Sequence, residues 1–475
     1  AMASAAVAMR ELGFQVTGSD QNVYPPMSTF LENNGIQVMN GYAEKNLSHK
    51  PDLVVIGNAI SRGNPDAEAV LEHRMRYSSL PEVVREFFTR GKRAIVVAGT
   101  HGKTTTSALL AWVFEHNGLN PSFLIGGLPL NFQRGARFND SKWIILEGDE
   151  YDTAFFDKRS KFVHYLPEIV IINNIEFDHA DIFRDLQAVQ TAFEHLIRLI
   201  PRNGLLIANG DDPNVAPLLN VKFCPIRTFG FGEANYWRAT NLRLGATASR
   251  FATPNHDYHI NLVGEFNVRN ALAVVACARH CGLTNQQIQS AFDTFKGVKR
   301  RMEIRGVESG IVVIDDFAHH PTAIKETIKA LRLRYPAARL WAIFEPRSNT
   351  TRRNVFQNVL PKAFEGADFV IISRVDRAEA LPPNERLDPH KVVSDLVALG
   401  KQALYLPQVD TIVEYVARNA QGGDVVCIFS NGAFDNLHAK LVGILAQRKI
   451  YPLNRSPQTS KVTVDLVRLD RIRGA

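Results

Sequence analysis

Lys103 and Thr104 follow directly on Gly102, with Gly99, Thr100 and His101 before them and Thr105 and Thr106 behind. A lysine and a hydroxyl beside closely spaced glycines can cradle a phosphate. The glycines expose backbone N–H groups to the anion, Lys103 adds a positive charge, and the Thr104 hydroxyl can hold a magnesium ion. Only Thr100 and His101 separate Gly99 from Gly102, so the loop is a shortened form of the common P-loop pattern. The elements needed to position it are present: the apolar run Ala94 to Ala98 reads as a strand and Ser107 to His116 as a helix. Strand, glycine loop, lysine and helix together point to a chain that handles ATP or GTP.

Two acidic segments follow at the ends of further apolar runs. Trp143 to Leu146 leads into Glu147-Gly148-Asp149-Glu150-Tyr151-Asp152, and Ile169 to Asn173 leads towards Glu176-Phe177-Asp178-His179. In an open α/β sheet neighbouring strand ends face one crevice, where the phosphate loop also opens. Acids there suit the Mg2+ that accompanies ATP, because hard cations prefer oxygen ligands. Glu147, at the strand end, reads as such a ligand, whereas Asp149 and Glu150 read equally well as solubilising loop residues.

Most of the chain alternates strand-like and helical stretches, the pattern of parallel α/β sheets. Further strands are expected at Val16 to Asp20, Leu53 to Gly57, Gly204 to Ala208, Ile311 to Ile314, Leu340 to Phe344, Phe369 to Ser373 and Asp424 to Phe429. A length of 475 residues allows three domains at about 150 residues each. The expected division is 1–90, 91–297 and 298–447, followed by a basic tail at 448–475. The first domain opens on a helix, Ala3 to Leu12, then a strand ending in Asp20. That is the second half of a Rossmann-like nucleotide-binding unit, so its first strand and glycine loop are expected upstream of the given sequence.

The formal charge is +7, but the tail from Arg448 holds seven basic residues and only Asp465 and Asp470 as acids. The body is therefore nearly neutral, and a nucleic-acid partner is not expected. Cys224, Cys277, Cys281 and Cys427 are scattered without metal-ligand spacing, which suits a reduced, cytoplasmic setting. No apolar run approaches the roughly 20 residues of a membrane span, so no stable membrane association is expected.

Six ordered motifs carry a resemblance to a known family: Gly99 to Thr106, Glu147 to Asp152, Asn174 to His179, Leu262-Val263-Gly264 with Asn267 and Asn270, Arg300-Arg301-Met302-Glu303, and Asp315-Asp316-Phe317-Ala318-His319-His320-Pro321-Thr322. Nearly end to end, the chain resembles the Mur ligases, which use ATP to join amino acids or peptides to UDP-N-acetylmuramate. The resemblance implies a Rossmann-like UDP-binding domain, a central P-loop ATPase-like domain and a C-terminal Rossmann-like domain. It implies ATP and Mg2+ as cofactors, with Gly99 to Thr105 around the phosphates, Thr104, Glu147 and His179 holding the ion, and Asn270, Arg301 and Asp316 contacting the nucleotide. Lys103, Glu147 and His179 would be the catalytic group. Phe266 stands where many relatives have histidine, and Phe193 or Glu194 lies where some carry a carbamylated lysine.

Within the family, Tyr151 to Phe162, Val23 to Ser28 and Gly126 to Phe132 resemble the cell-wall-recycling branch that adds the murein tripeptide L-alanyl-γ-D-glutamyl-meso-diaminopimelate. The alternative is the branch that adds L-alanine in de novo synthesis, which typically carries Asp-Glu-Ser-Asp where this chain has Asp149-Glu150-Tyr151-Asp152. The reaction implied is an amide ligation through an acyl phosphate, in a monomer or weak homodimer. Acceptor or sugar contacts are expected from Asp20, His320, Arg347, Arg377 and Ser430, with Arg374 as a further carboxylate partner. His319 and His320 also read as hydrogen-bonded loop residues. A P-loop switch is a distant alternative, but no Asn-Lys-x-Asp segment for reading guanine is present; a UDP-sugar-binding module with a degenerate ATPase is opposed by the intact Lys103, Thr104 and Glu147. Because the tail carries charge without a recognised motif, its deletion after Arg448 is expected to leave substrate-dependent ADP release unchanged. Loss of that release would show the tail to be part of the enzyme.

Overall fold

The computed structural model describes residues 2–21 and 27–448. Val23 to Pro26 of the branch-level resemblance and the basic tail beyond Arg448 lie outside the described residues. Among the described residues, no helix is long and apolar enough to cross a membrane.

The centre is an eight-stranded sheet in the order Trp237–Arg238, Ile226–Gly230, Leu205–Asn209, Ile169–Ile172, Arg93–Ala98, Trp143–Gly148, Ser122–Leu124 and Ala136–Arg137. Its pairs are parallel except the last. Alternate residues of one strand serve opposite faces. Ile95 and Val97 pack with Leu109, Leu110 and Val274 on one side, while Ala94, Val96 and Ala98 pack with Phe193 and Leu196 on the other. Both faces are covered, which is why these strands read as continuous apolar runs rather than as alternating ones. The helices Lys103–His116 and Glu265–His280 cover the face beneath the phosphate loop.

The C-terminal part repeats the principle in a six-stranded sheet, ordered Glu303–Glu308, Ile311–Asp316, Val425–Phe429, Leu340–Phe344, Phe369–Ile372 and Gln402–Tyr405. The segment between the two sheets is held: Leu130 N–H donates to Gly297 O at 3.0 Å and Lys299 N–H to Leu128 O at 3.0 Å. The first ninety or so residues form two separate parallel pairs, Thr17–Asp20 with Gln37–Asn40 and Val54–Ile56 with Tyr77–Ser79. These pairs share no hydrogen-bonded ladder.

Several expected boundaries shift by a few residues, and two of the shifts bear on the site. The helix expected from Ser107 begins at Lys103, because left-handed Gly102 caps it. The strand expected to end at Leu146 runs through Glu147 to Gly148, paired with Val97 and Ala98 of its neighbour. Glu147 thus projects from a rigid strand rather than from a loop.

The C-terminal part meets the central one through polar contacts. Thr350 Oγ1 donates to Asp178 Oδ1 at 2.6 Å and accepts from the Ala180 N–H at 3.2 Å, while Asn349 Nδ2 donates to Asp181 Oδ2 at 2.7 Å. Both Thr350 and Asp178 are buried. Replacing the hydroxyl leaves a buried carboxylate short of a donor, a loss of about 1–3 kcal/mol. Thr350→Val is expected to open this junction more often, read as faster hydrogen exchange at the Ala180 amide with protection inside the central sheet unchanged.

Candidate active site

Two glycines in left-handed backbone shape the phosphate loop, Gly99 at φ +136° and Gly102 at φ +81°. A Cβ on Gly102 would lie 2.5 Å from Asn270 Oδ1. Glycine is therefore required both by the backbone and by the approach of a residue expected to face the nucleotide. The helix that begins at Lys103 has no side-chain cap, which leaves its first N–H groups available to an anion.

Lys103 Nζ donates to Gly99 O at 2.6 Å and Glu150 Oε2 at 2.8 Å, with a longer bond to Thr100 O at 3.3 Å. Burial works against its charge, but Glu150 and Asp149 outweigh burial and raise its pKa. Thr104 Oγ1 donates to Glu147 Oε1 at 2.8 Å, and Gly126 N–H donates to Glu147 Oε2 at 2.7 Å. Burial raises the Glu147 pKa despite the pull of Lys103 and Arg301. A divalent cation would supply the positive charge this carboxylate lacks.

His179 Nε2 lies 3.0 Å from Glu150 Oε1, and its backbone sits at φ +56°, held by its own N–H donating to Asp178 Oδ1 at 2.7 Å. Burial lowers its pKa, but Glu150 and Asp178 outweigh burial and the net shift is upward. A non-glycine residue kept in this region is a feature that clusters at functional sites. Of the three expected ion ligands, Thr104 and Glu147 touch, whereas His179 joins them only through Glu150 and Lys103.

A cleft of about 1260 Å³ opens here, lined by Thr100 to Thr105, Glu147, His179, Asn270, Arg301 and Asp316 among others. Asn270 Nδ2 donates to Asn267 Oδ1 at 3.3 Å, and Arg301 Nη2 reaches Thr104 Oγ1 at 3.3 Å with its guanidinium 5.2 Å from the Phe317 ring centre. Asp316 accepts from Met302 N–H at 2.7 Å and Ala318 N–H at 2.9 Å, and burial raises its pKa. The loop, ion and nucleotide residues read from the sequence thus border one space. Phe266 borders it too.

The residues expected at the acceptor and sugar are less assembled. His320 lines the cleft, but its Nδ1 accepts from the Thr322 N–H at 3.2 Å as the cap of helix Pro321–Arg334. Ser430 donates to Glu345, and Arg347 Nη1 lies 3.4 Å from Glu345 Oε1. Arg377 is 72% exposed and 3.9 Å from Asp376, while Asp20 accepts from Tyr42 OH at 2.8 Å in the first part of the chain. Asp20, Arg347, Arg377 and Ser430 do not line the cleft.

Sequence reasoning missed two features. Glu150, left open between ligand and loop residue, is 2% exposed and joins Lys103 to His179; its spacing after Glu147 gave no means to choose. Asn173 closes the strand expectation without a role, yet its Nδ2 donates to Thr106 Oγ1 at 3.0 Å, while its Oδ1 is buried in the cleft wall without a partner. Asn431 Oδ1, on the opposite side, is likewise unpartnered.

Three family models match the chain in order: the Mur ligase family catalytic domain over 1–92, the Mur ligase middle domain over 97–278 and the Mur ligase glutamate ligase domain over 300–432. UDP-N-acetylmuramate–L-alanyl-gamma-D-glutamyl-meso-2,6-diaminoheptandioate ligase of Escherichia coli is 42% identical, covering 94% of this chain and 96% of that one. A UDP-N-acetylmuramate–L-alanine ligase of Acetivibrio thermocellus is 31% identical over 91% of each chain. The crystal structure of a murein peptide ligase from Psychrobacter arcticus matches with a TM-score of 0.71 at 35% identity, covering 94% of this chain and 96% of that one. With the domain types matched in sequence order and likeness extending over nearly its whole length, the chain belongs to the Mur ligase family.

Proposed function

We propose that this chain joins the tripeptide L-alanyl-γ-D-glutamyl-meso-diaminopimelate to UDP-N-acetylmuramate, using ATP and Mg2+ and forming an amide bond. One observation carries the reading: Lys103, paired with Glu150, and Thr104, bonded to Glu147, open the helix of a phosphate loop in a chain 42% identical to a ligase named for that reaction. A carboxylate and an amine do not condense unaided in water, and ATP supplies the activation by phosphorylating the muramoyl carboxylate. The protein's share is to bring anions together and keep water out.

Lys103 would exchange Glu150 for phosphate oxygens, offsetting their charge where bulk water is excluded. Thr104, Glu147 and His179 would hold the Mg2+, and Asn270, Arg301 and Asp316 would contact the nucleotide. Asn173 and Asn431 line the space that the substrates would fill. We divide the chain functionally at 90/91 and 297/298, in keeping with the sheet membership of the flanking strands. A UDP-sugar would be bound by the first part and the acceptor by the third. The setting proposed is the cytoplasm, where the four free cysteines would stay reduced, and the protein acts as a monomer or weak homodimer.

Lys103→Ala is expected to lower kcat by about 100- to 1000-fold, the scale for losing one preorganised electrostatic contact, with far-UV circular dichroism unchanged. Glu147→Ala should behave similarly, and chelation of Mg2+ should stop phosphate release in the unaltered protein. Near-normal turnover by Lys103→Ala would refute the assignment.

The acceptor is tested in the same phosphate-release assay with UDP-N-acetylmuramate. A longer, multiply charged acceptor offers remote binding energy to orient its amine, so kcat/KM for the tripeptide should exceed that for L-alanine. The reverse order would move the chain to the alanine-adding branch while leaving ATP use and amide formation in place.

A further inference from the structure

One cluster at the domain junction is not used by the proposed reaction. His101 comes from the phosphate loop, Glu176 from beyond strand Ile169–Ile172, and His320 from the cap of helix Pro321–Arg334 in the C-terminal part. His101 Nε2 lies 2.7 Å and His320 Nδ1 3.2 Å from the same oxygen, Glu176 Oε2. All three ligand atoms fall within 4.8 Å of one another.

The contact between His320 and Glu176 is unusual. His320 Nδ1 accepts from the Thr322 N–H at 3.2 Å, so in that tautomer it bears no hydrogen. Burial and the neighbouring His101 hold the His320 pKa down to about 3, so the ring is neutral at physiological pH. Burial of Glu176 is outweighed by donation from His101 and Thr322 and by the nearby imidazoles, which hold its pKa at about 2 and keep it ionised. Two imidazoles from different parts of the chain thus converge on one carboxylate oxygen, and a cation at their meeting point would take the His320 Nδ1 lone pair in place of the Thr322 N–H.

We propose that His101, Glu176 and His320 form a binding site for a zinc-class divalent cation, tying the phosphate loop to the C-terminal part of the chain. Two imidazole nitrogens and one carboxylate oxygen are a known three-ligand zinc set that leaves a fourth position open. Tetrahedral ligands on bonds of about 2.1 Å stand about 3.4 Å apart, a spacing these atoms reach by small side-chain movements. Imidazole favours zinc-class ions over Mg2+, which separates this site from the one at Glu147. The Glu176 side chain is 31% exposed, which gives an ion a way in from the cleft.

The test titrates Co2+ alone into the full chain carrying Glu147→Ala, a background that removes the proposed Mg2+ site, and follows visible d–d absorption. One equivalent should bind, and Zn2+ but not millimolar Mg2+ should displace it. Adding His320→Asn, which keeps a helix-capping side chain but removes the imidazole, should weaken Co2+ binding by more than about 100-fold, beyond the usual cost of losing an outer-sphere partner. Glu176→Gln should do the same and decides the matter should His320→Asn fail to fold. Absence of Co2+ binding, displacement by Mg2+, or affinity unchanged by these substitutions would overturn the site.

Discussion

The charge on Lys103 is the constraint around which the rest of the structure is arranged. An ammonium held this far from water is costly unless paired and hydrogen-bonded. The chain meets that requirement with two loop carbonyls and the almost fully buried Glu150. Glu150 in turn meets His179, so an ammonium and an imidazole stand on either side of one carboxylate. The charge of the lysine is thus met inside the protein by one carboxylate that is itself held from its other side.

A second arrangement follows from the first. The loop and its acids belong to the central sheet, yet the cleft is closed on its other side by Arg301, Asp316 and Asn431 from the C-terminal part. The junction between the two is polar. Glu176, Asp178 and Asp181 supply carboxylates, and Thr322, Thr350 and Asn349 supply uncharged donors. Contacts of this kind are individually modest and are readily exchanged for water, unlike an apolar core. Backbone pairing of Gly297 and Lys299 with the loop at Leu128 and Leu130 ties the two parts together as well.

Local chemistry was legible in the sequence and long-range geometry was not. Gly99, Gly102, Lys103 and Thr104 announce themselves because a tight turn, a backbone donor array, a cation and a hydroxyl must be adjacent in the chain. The longer buried strands were equally readable, since covering both faces makes each a continuous apolar run, whereas the three-residue buried strands Ser122–Leu124 and Asp152–Ala154 were too short to stand out. Edge strands escaped notice: Glu303–Glu308 and Gln402–Tyr405 are half exposed and interrupted by polar residues, and the meander Thr240–Leu244, Ser249–Thr253 and His256–Ile260 carries mixed sequence. Glu150 and Asn173 acquire meaning only from partners dozens of residues away. Arg347, read from the sequence as a carboxylate partner, stands in the fold beside Glu345 and Asp376.

The hairpin Asp152–Ala154 with Asp157–Ser160 gives a physical basis for the branch-level resemblance. Asn58, from the first part of the chain, donates to the Asp152 carbonyl, and Phe156 packs edge-on against Tyr77 at 4.9 Å. At the hairpin's base, the Tyr151 ring lies 4.0 Å from that of His179, and Lys161 Nζ donates to Asp149 Oδ2 at 2.6 Å. One short segment therefore touches the first part of the chain, His179 and Asp149. A serine in place of Tyr151 would remove the ring against His179 and leave the Lys103–Glu150 pair intact. The position thus sets what packs on His179 while the hydrogen bonds of Lys103 to Gly99, Thr100 and Glu150 do not depend on it.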